Sequence, residues 1–258
     1  MTPETSPSKW FHYVVRREQP TVRLFCLSGA GAGPSEFISW GKSLPAWIET
    51  WPIQLPGRER RMREQSMTSL EGITGAVLEA VHGVQAELPG ARTAFFGHSF
   101  GALVLYETCS RMTTLDPQAV LGIAVSGLSA PHCVSNNPMG DLSDSELTER
   151  IMSFGGTPKE LMRNPQFTAW LLADIRNCYQ IYEKYRTSAT QSPLDCPVSA
   201  FVGRDDFEAS IGDASAWNDH TTADFRLHVL DGGHFYLRPQ LLRVLSLLTA
   251  DLESWSSR

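Results

Sequence analysis

The sequence predicts an α/β architecture, a mostly parallel central sheet flanked by helices, and three observations carry that prediction. Short apolar runs rich in strand formers alternate with longer segments of helical spacing. The loops after four of those runs are rich in glycine or acidic residues, and the alternation breaks only between Pro131 and Pro193, where helical patterns occur without a convincing strand. Strand, crossover helix, strand is the mark of a parallel sheet, because parallel neighbours need a long connection.

Residues 21–28 (TVRLFCLS) form a compact apolar run that ends in Gly29-Ala30-Gly31-Ala32-Gly33, as a buried strand entering a loop does. A helix is expected from Pro34 through Phe37, Ile38, Trp40 and Leu44, then a short strand at 50–55 (TWPIQL) stopped by Pro56-Gly57. Residues 69–88 carry helical spacing through Leu70, Ile73, Val77, Leu78, Val81 and Leu88, and Pro89-Gly90 ends it. A strand at 93–96, a helix from 100 to 112 and a strand at 120–126 (VLGIAVS) continue the rhythm. Within 131–193 the helical patterns include Leu147 to Met152 and the aromatic-rich run from Trp170 to Tyr185. Strands resume at 197–202 (PVSAFV) and 226–230 (RLHVL), and a helix over 239–252 closes the chain. One domain over 1–258 is expected, with 131–193 a helical subdomain inserted within it.

Composition narrows the function. Hydrophobic residues make up 42% and charged residues 19%, ordinary for a globular protein. The net charge of −6 gives no global field to draw in nucleic acid. The five cysteines are widely spaced with no C-x-x-C pair, which argues against a disulfide framework or a zinc site. Residues 1–10 lack a basic segment followed by an apolar run, and no stretch is long and apolar enough to span a bilayer, so a cytoplasmic protein with no membrane partner is expected.

Gly97-His98-Ser99-Phe100-Gly101 lies between an expected strand and an expected helix. G-x-S-x-G in that context is the nucleophile elbow, whose strained turn lifts the serine to the top of the sheet and demands small residues where chain segments crowd. The alternative is a glycine-rich turn whose serine caps the helix. A serine hydroxyl attacks only when a base takes its proton, so a histidine held by a carboxylate must follow, in the order Ser, acid, His. His234 follows strand 226–230 in Asp231-Gly232-Gly233-His234, whereas His12, His82, His132, His220 and His228 fit surface or packing roles. His98 precedes the serine, and its side chain is expected to point away from it as packing or elbow support. For the acid, Asp206 and Asp205 follow strand 197–202 and Asp231 lies three residues before the histidine. An acid on a separate strand end reaches the imidazole from behind, which favours Asp206 over Asp205, and Asp231 suits a cap on its own turn.

The tetrahedral oxyanion needs two donors. The backbone N–H of Phe100 is one candidate, and an N–H of the 28–33 loop, from Ala30 or next Gly29, is the other. That loop lacks the Gly-Lys-Ser/Thr ending of a phosphate cradle, and its G-x-G-x-G spacing differs from the dinucleotide fingerprint.

LFCLSGAGAG, QLPGRERR at 54–61, FFGHSFGALVLYE at 95–107, FGGTPKEL at 154–161, LLADIRNCYQIYEKY at 171–185, CPVSAFVGRDD at 196–206 and LDGGHFYL at 230–237 together resemble the type II thioesterases of nonribosomal peptide and polyketide synthase pathways. The resemblance spans nearly the whole chain and implies an α/β-hydrolase fold. It carries nucleophile, acid and base onto Ser99, Asp206 and His234. The first loop departs from the family pattern of Pro, an aromatic or His, then Ala-Gly-Gly, but keeps the alanine, at Ala30. The resemblance implies hydrolysis of acyl groups from the phosphopantetheine arm of acyl or peptidyl carrier protein domains, by a monomer with no metal or bound cofactor. The 131–193 insertion then reads as a lid in which Trp170, Leu171, Leu172, Ile175 and Tyr179 line an acyl channel or pack the lid on the core. Arg58, Arg60, Arg61 and Arg63 form a basic cluster that could meet an acidic carrier surface, or a solvated loop. A carboxylesterase or acyltransferase of the same fold is the nearest rival, and a noncatalytic binding module the rival from another class.

Overall fold

The computed structural model describes residues 9–133, 139–157, 159–186 and 192–257. Positions 134–138, 158 and 187–191 of the expected insertion lie outside the described residues, as do residues 1–8, on which the expectation of no leader partly rests. Six strands, β1 (Val22–Leu27), β2 (Ile48–Pro52), β3 (Arg92–His98), β4 (Val120–Ser126), β5 (Val198–Gly203) and β6 (Phe225–Leu230), form one sheet in the order β2-β1-β3-β4-β5-β6. Every pairing is parallel.

Alternate side chains of the strands feed two apolar layers, as the period of two requires. Phe25, Phe95 and Ile123 meet α2 (Leu70–Glu87) and α3 (Phe100–Leu115) on one face. Leu24, Phe96 and Leu121 meet α1 (Ile38–Ser43) and α7 (Leu241–Ser256) on the other. Between β4 and β5 the chain inserts α4 (Asp144–Ser153) and the long α5 (Pro165–Arg186). The first half of α5 shares a small cluster with α4 through Leu171, Leu172, Leu147 and Ile151. Its second half joins the main core through Cys178, Ile181 and Tyr185. A short α6 (Ile211–Ser215) precedes β6.

Three boundaries differ from the sequence reading for physical reasons. The second strand begins at Ile48 rather than at 50, because Glu49 is tolerated in the buried edge by Arg16, Arg23 and the Trp51 indole N–H, all bonded to its carboxylate. Pro34–Phe37 makes a 3-10 turn before α1, so the expected first helix is short. The last helix runs on to Ser256 because Trp255 is buried against Gly122 of β4.

The chain leaves β1 toward β2 on one side and returns to β3 on the other. In open parallel sheets this reversal opens a crevice at the carboxyl ends of the strands. Leu27 pairs with Gly97 across it, so the 28–33 loop and the elbow sit side by side.

Candidate active site

Ser99 starts α3 with φ +52° and ψ −123°. That is a left-handed conformation costing a side-chain-bearing residue roughly 1–3 kcal/mol. Its side chain makes no capping bond to the helix, so the capping role is not the one it plays. The turn closes because Gly97 and Gly101 lack side chains. A Cβ on Gly97 would collide with the backbone of Gly101 and Ala102, and one on Gly101 with the carbonyl of Leu27. The Ser99 N–H donates to the Ser126 carbonyl at 2.7 Å, tying the elbow to β4.

His234 Nδ1 lies 2.9 Å from Asp206 Oδ2, the carboxylate being fully buried. Asp206 Oδ1 accepts the N–H groups of Glu208 at 2.9 Å and Ala209 at 3.3 Å, which fixes the carboxylate. With the proton of the imidazole on the Asp206 side, Nε2 is left as the basic nitrogen. Asp205 and Asp231 are both exposed, and Asp231 pairs with Arg204 on the surface. Burial works against a charged His234, but the Asp206 hydrogen bond and charge, with Glu208 and Glu36 adding, raise its pKa above the ordinary histidine value.

Two hollows share Ser99, Ala30 and Tyr179 in their walls. One continues past Phe100, Gly127, Leu128 and Tyr182; the other runs past His234 beneath Ile151, Phe154, Leu171 and Ile175 to Glu36. Ala30 and Phe100 therefore share the wall of one hollow with Ser99. Of the five insertion residues singled out in the sequence, Leu171, Ile175 and Tyr179 line these hollows. Trp170 instead donates its indole N–H to the Gly57 carbonyl at 2.7 Å, and Leu172 packs within the insertion.

His98, expected as packing or elbow support, lines the same hollow as Ser99 and His234, with its ring centroid 4.9 Å from that of His234. Its Nδ1 meets Ser126 Oγ at 2.9 Å, and Ser126 in turn meets the Tyr236 hydroxyl. Burial, reinforced by the charge of His234, holds the His98 pKa well below the ordinary value. One expectation is corrected: the arginine cluster is not a surface. Arg58 and Arg61 are buried, the first against Asp174 and the second against Glu64, the Gln54 carbonyl and the Trp10 ring, leaving only Arg60 and Arg63 exposed.

Sequence reasoning missed Asp174, Glu208 and Glu36. Asp174 had a signal: it stands among Leu171, Ile175 and Cys178 on one helix face, where a carboxylate needs a partner. Glu208, which accepts the Tyr179 hydroxyl at 2.9 Å and pairs with Arg150, had none. Among the described residues, no group of three or more His, Cys, Asp and Glu side chains is placed to hold a metal, and no helix is long and apolar enough to cross a membrane.

Residues 22–252 match the family described as Thioesterase domain. The chain belongs to the thioesterase family. This thioesterase is 33% identical to Thioesterase PikA5 of Streptomyces venezuelae, over 88% of this chain and 80% of that protein. It is 32% identical to a Brevibacillus parabrevis protein named Linear gramicidin dehydrogenase LgrE, over 97% of this chain and 95% of that one. The solved structure of the RedJ thioesterase from the prodiginine biosynthetic pathway of Streptomyces coelicolor matches with a TM-score of 0.82 and 31% identity, covering 90% of this chain and 91% of that one. The six-stranded parallel sheet is thus that of an α/β hydrolase, and the thioesterase is a thioester hydrolase.

Proposed function

We propose that this thioesterase removes acyl groups from the phosphopantetheine arm of acyl or peptidyl carrier protein domains, through a Ser99-His234-Asp206 triad and an acyl-enzyme. The observation that carries the reading is the strained Ser99 and the Asp206-held His234 opening on one hollow with Ala30, beside a second hollow that Ser99 and Ala30 share with Phe100. His234 Nε2 takes the Ser99 proton as Oγ attacks the thioester carbonyl, and the N–H groups of Ala30 and Phe100 hold the oxyanion. Collapse expels the pantetheine thiolate, which leaves readily because a thiol pKa is about 8.5, and the imidazolium returns the proton. Water, activated by the same imidazole, then frees the acid and restores Ser99.

The carrier-bound substrate is supported by the pathways named for its relatives, prodiginine for RedJ and linear gramicidin for LgrE. The insertion 131–193 acts as the lid of the domain, with Leu171, Ile175 and Tyr179 toward the acyl group. The enzyme works in the cytoplasm as a monomer and needs no metal or cofactor for this cycle. The assay that separates it from a carboxylesterase compares an acyl-pantetheine thioester with the matched nitrophenyl ester. A higher kcat/KM on the thioester is expected, and a strong preference for the oxygen ester would overturn the assignment. Product analysis with an alcohol or amine acceptor tests acyl transfer: free acid is expected as the main product.

A further inference from the structure

The loop that carries Ala30 is gripped by a buried ion pair from two other parts of the chain. Arg58, in the loop after β2, is 3% exposed in its side chain, and Asp174, on the insertion helix α5, is 5% exposed. Arg58 Nη1 donates to the carbonyls of Gly29 at 2.8 Å and Ala32 at 3.0 Å. Its Nε and Nη2 reach Asp174 Oδ1 and Oδ2 at 3.2 and 3.1 Å, and Nη2 also reaches Cys178 Sγ at 3.2 Å. Asp174 Oδ2 accepts the Gly31 N–H at 2.8 Å. The peptide groups before and after Ala30 are therefore all bonded to one Arg–Asp pair.

The same helix sets the shape of the loop by packing. Gly31 has φ +70°, and a Cβ there would stand 2.5 Å from Leu171 Cδ1, so α5 lies directly on it. A left-handed residue at this point turns its N–H toward Asp174 and reverses the chain around Ala30. Removing two charges from water is costly, and stability alone is a weak reason to keep a buried pair that apolar residues could replace. Here the pair supplies what an apolar replacement could not, fixed partners for three backbone groups of a glycine-rich loop that would otherwise sample many conformations.

We propose that Asp174 and Arg58 are positioning residues for the oxyanion loop, so that docking of the lid helix α5 is what aims the Ala30 N–H at the reacting carbonyl. This rests on Ala30 and Phe100 being the oxyanion donors. Neither side chain touches the acyl group; each acts through the loop. The consequence is specific: disturbing the pair weakens stabilisation of the tetrahedral state and leaves ground-state binding in place.

The test uses the full-length enzyme with Asp174→Asn and Arg58→Lys, each checked for folding by thermal melting. Arg58→Lys keeps a cation beside Asp174 and removes the planar fork, so it carries the test where Asp174→Asn does not fold. The readouts are kcat and KM on an acyl-pantetheine, the affinity of an alkyl boronic acid that forms a tetrahedral adduct on Ser99, and the affinity of a non-hydrolysable thioether analogue. The expected result is a fall in kcat of about 10- to 100-fold, the scale of a misplacement near 1 Å. Boronate affinity should fall in parallel, with KM and thioether affinity within about threefold of wild type. Folded variants with unchanged kcat and boronate affinity, or with a raised KM alone, would overturn the positioning role while leaving the hydrolase reading intact. A wild-type enzyme without Ser99-dependent turnover or boronate binding would overturn both.

Discussion

At the scale of single residues, the division of labour between carboxylates follows from solvent. Asp206 is buried, holds two backbone N–H groups and meets His234, while Asp205 and Asp231 stand in water. A base works only when neutral, so a His234 pKa raised by Asp206 moves the acid limb of kcat/KM above the ordinary histidine value, with activity rising through that limb toward high pH. Asp206→Asn keeps the shape but removes the charge and inverts the preferred tautomer. Turnover should fall by about ten-thousandfold, and the acid limb of the residual activity should move to lower pH, read from a pH profile. A variant with full activity and the wild-type limb would remove Asp206 from the mechanism. Ser99, His234 and Asp206 could be proposed from the sequence because nucleophilic chemistry restricts both residue type and order. The pairing of Asp174 with Arg58 could not, because the helix face signals only that Asp174 needs a partner, and no local pattern says that the partner lies 116 positions away.

At the scale of elements, the elbow is a packing problem with one tolerance. β3 delivers Gly97, α3 begins at Phe100, and Gly101 lies so close to the end of β1 that the Leu27 carbonyl occupies the place of a side chain. Gly101→Ala must push α3 away from β1 and carry Ser99 with it. Overpacking of this kind costs about 1–3 kcal/mol, and thermal melting should show that loss together with a fall in turnover larger than the stability change explains. Unchanged melting and unchanged turnover would mean that the helix start has slack which the geometry denies. The strands could be read as continuous apolar runs, since β1, β3 and β4 are buried on both faces, and the long helices from their apolar period. Boundaries failed where a polar residue inside an element has a distant partner: Glu49 in β2, held by Arg16 and Arg23, reads as a loop residue until those partners are known. The segment holding α6 and the turn after it carries too few apolar positions to announce a helix, and α6 is started by the Ser210–Asp213 capping box.

At the scale of the whole molecule, a parallel sheet was legible from alternation, but its strand order was not. Alternation says that neighbours are joined by helices, not on which side the next strand is laid. The reversal between β1 and β3 is the missing fact, and it creates the crevice in which two loops and an elbow meet. The insertion between β4 and β5 then lies over that crevice with α5, whose C-terminal half is anchored in the main core and whose N-terminal half lies on the 28–33 loop. A hydrolase organised in this way should unload an acyl group from a carrier arm by way of Ser99. The most direct test is intact-protein mass spectrometry of an acyl-loaded carrier protein incubated with the wild-type enzyme and with Ser99→Ala. The predicted result is a carrier returned to its free-thiol mass by the wild type and left loaded by Ser99→Ala. Equal unloading by Ser99→Ala, or a loaded carrier left intact by a wild-type enzyme that cleaves a simple nitrophenyl ester, would contradict it.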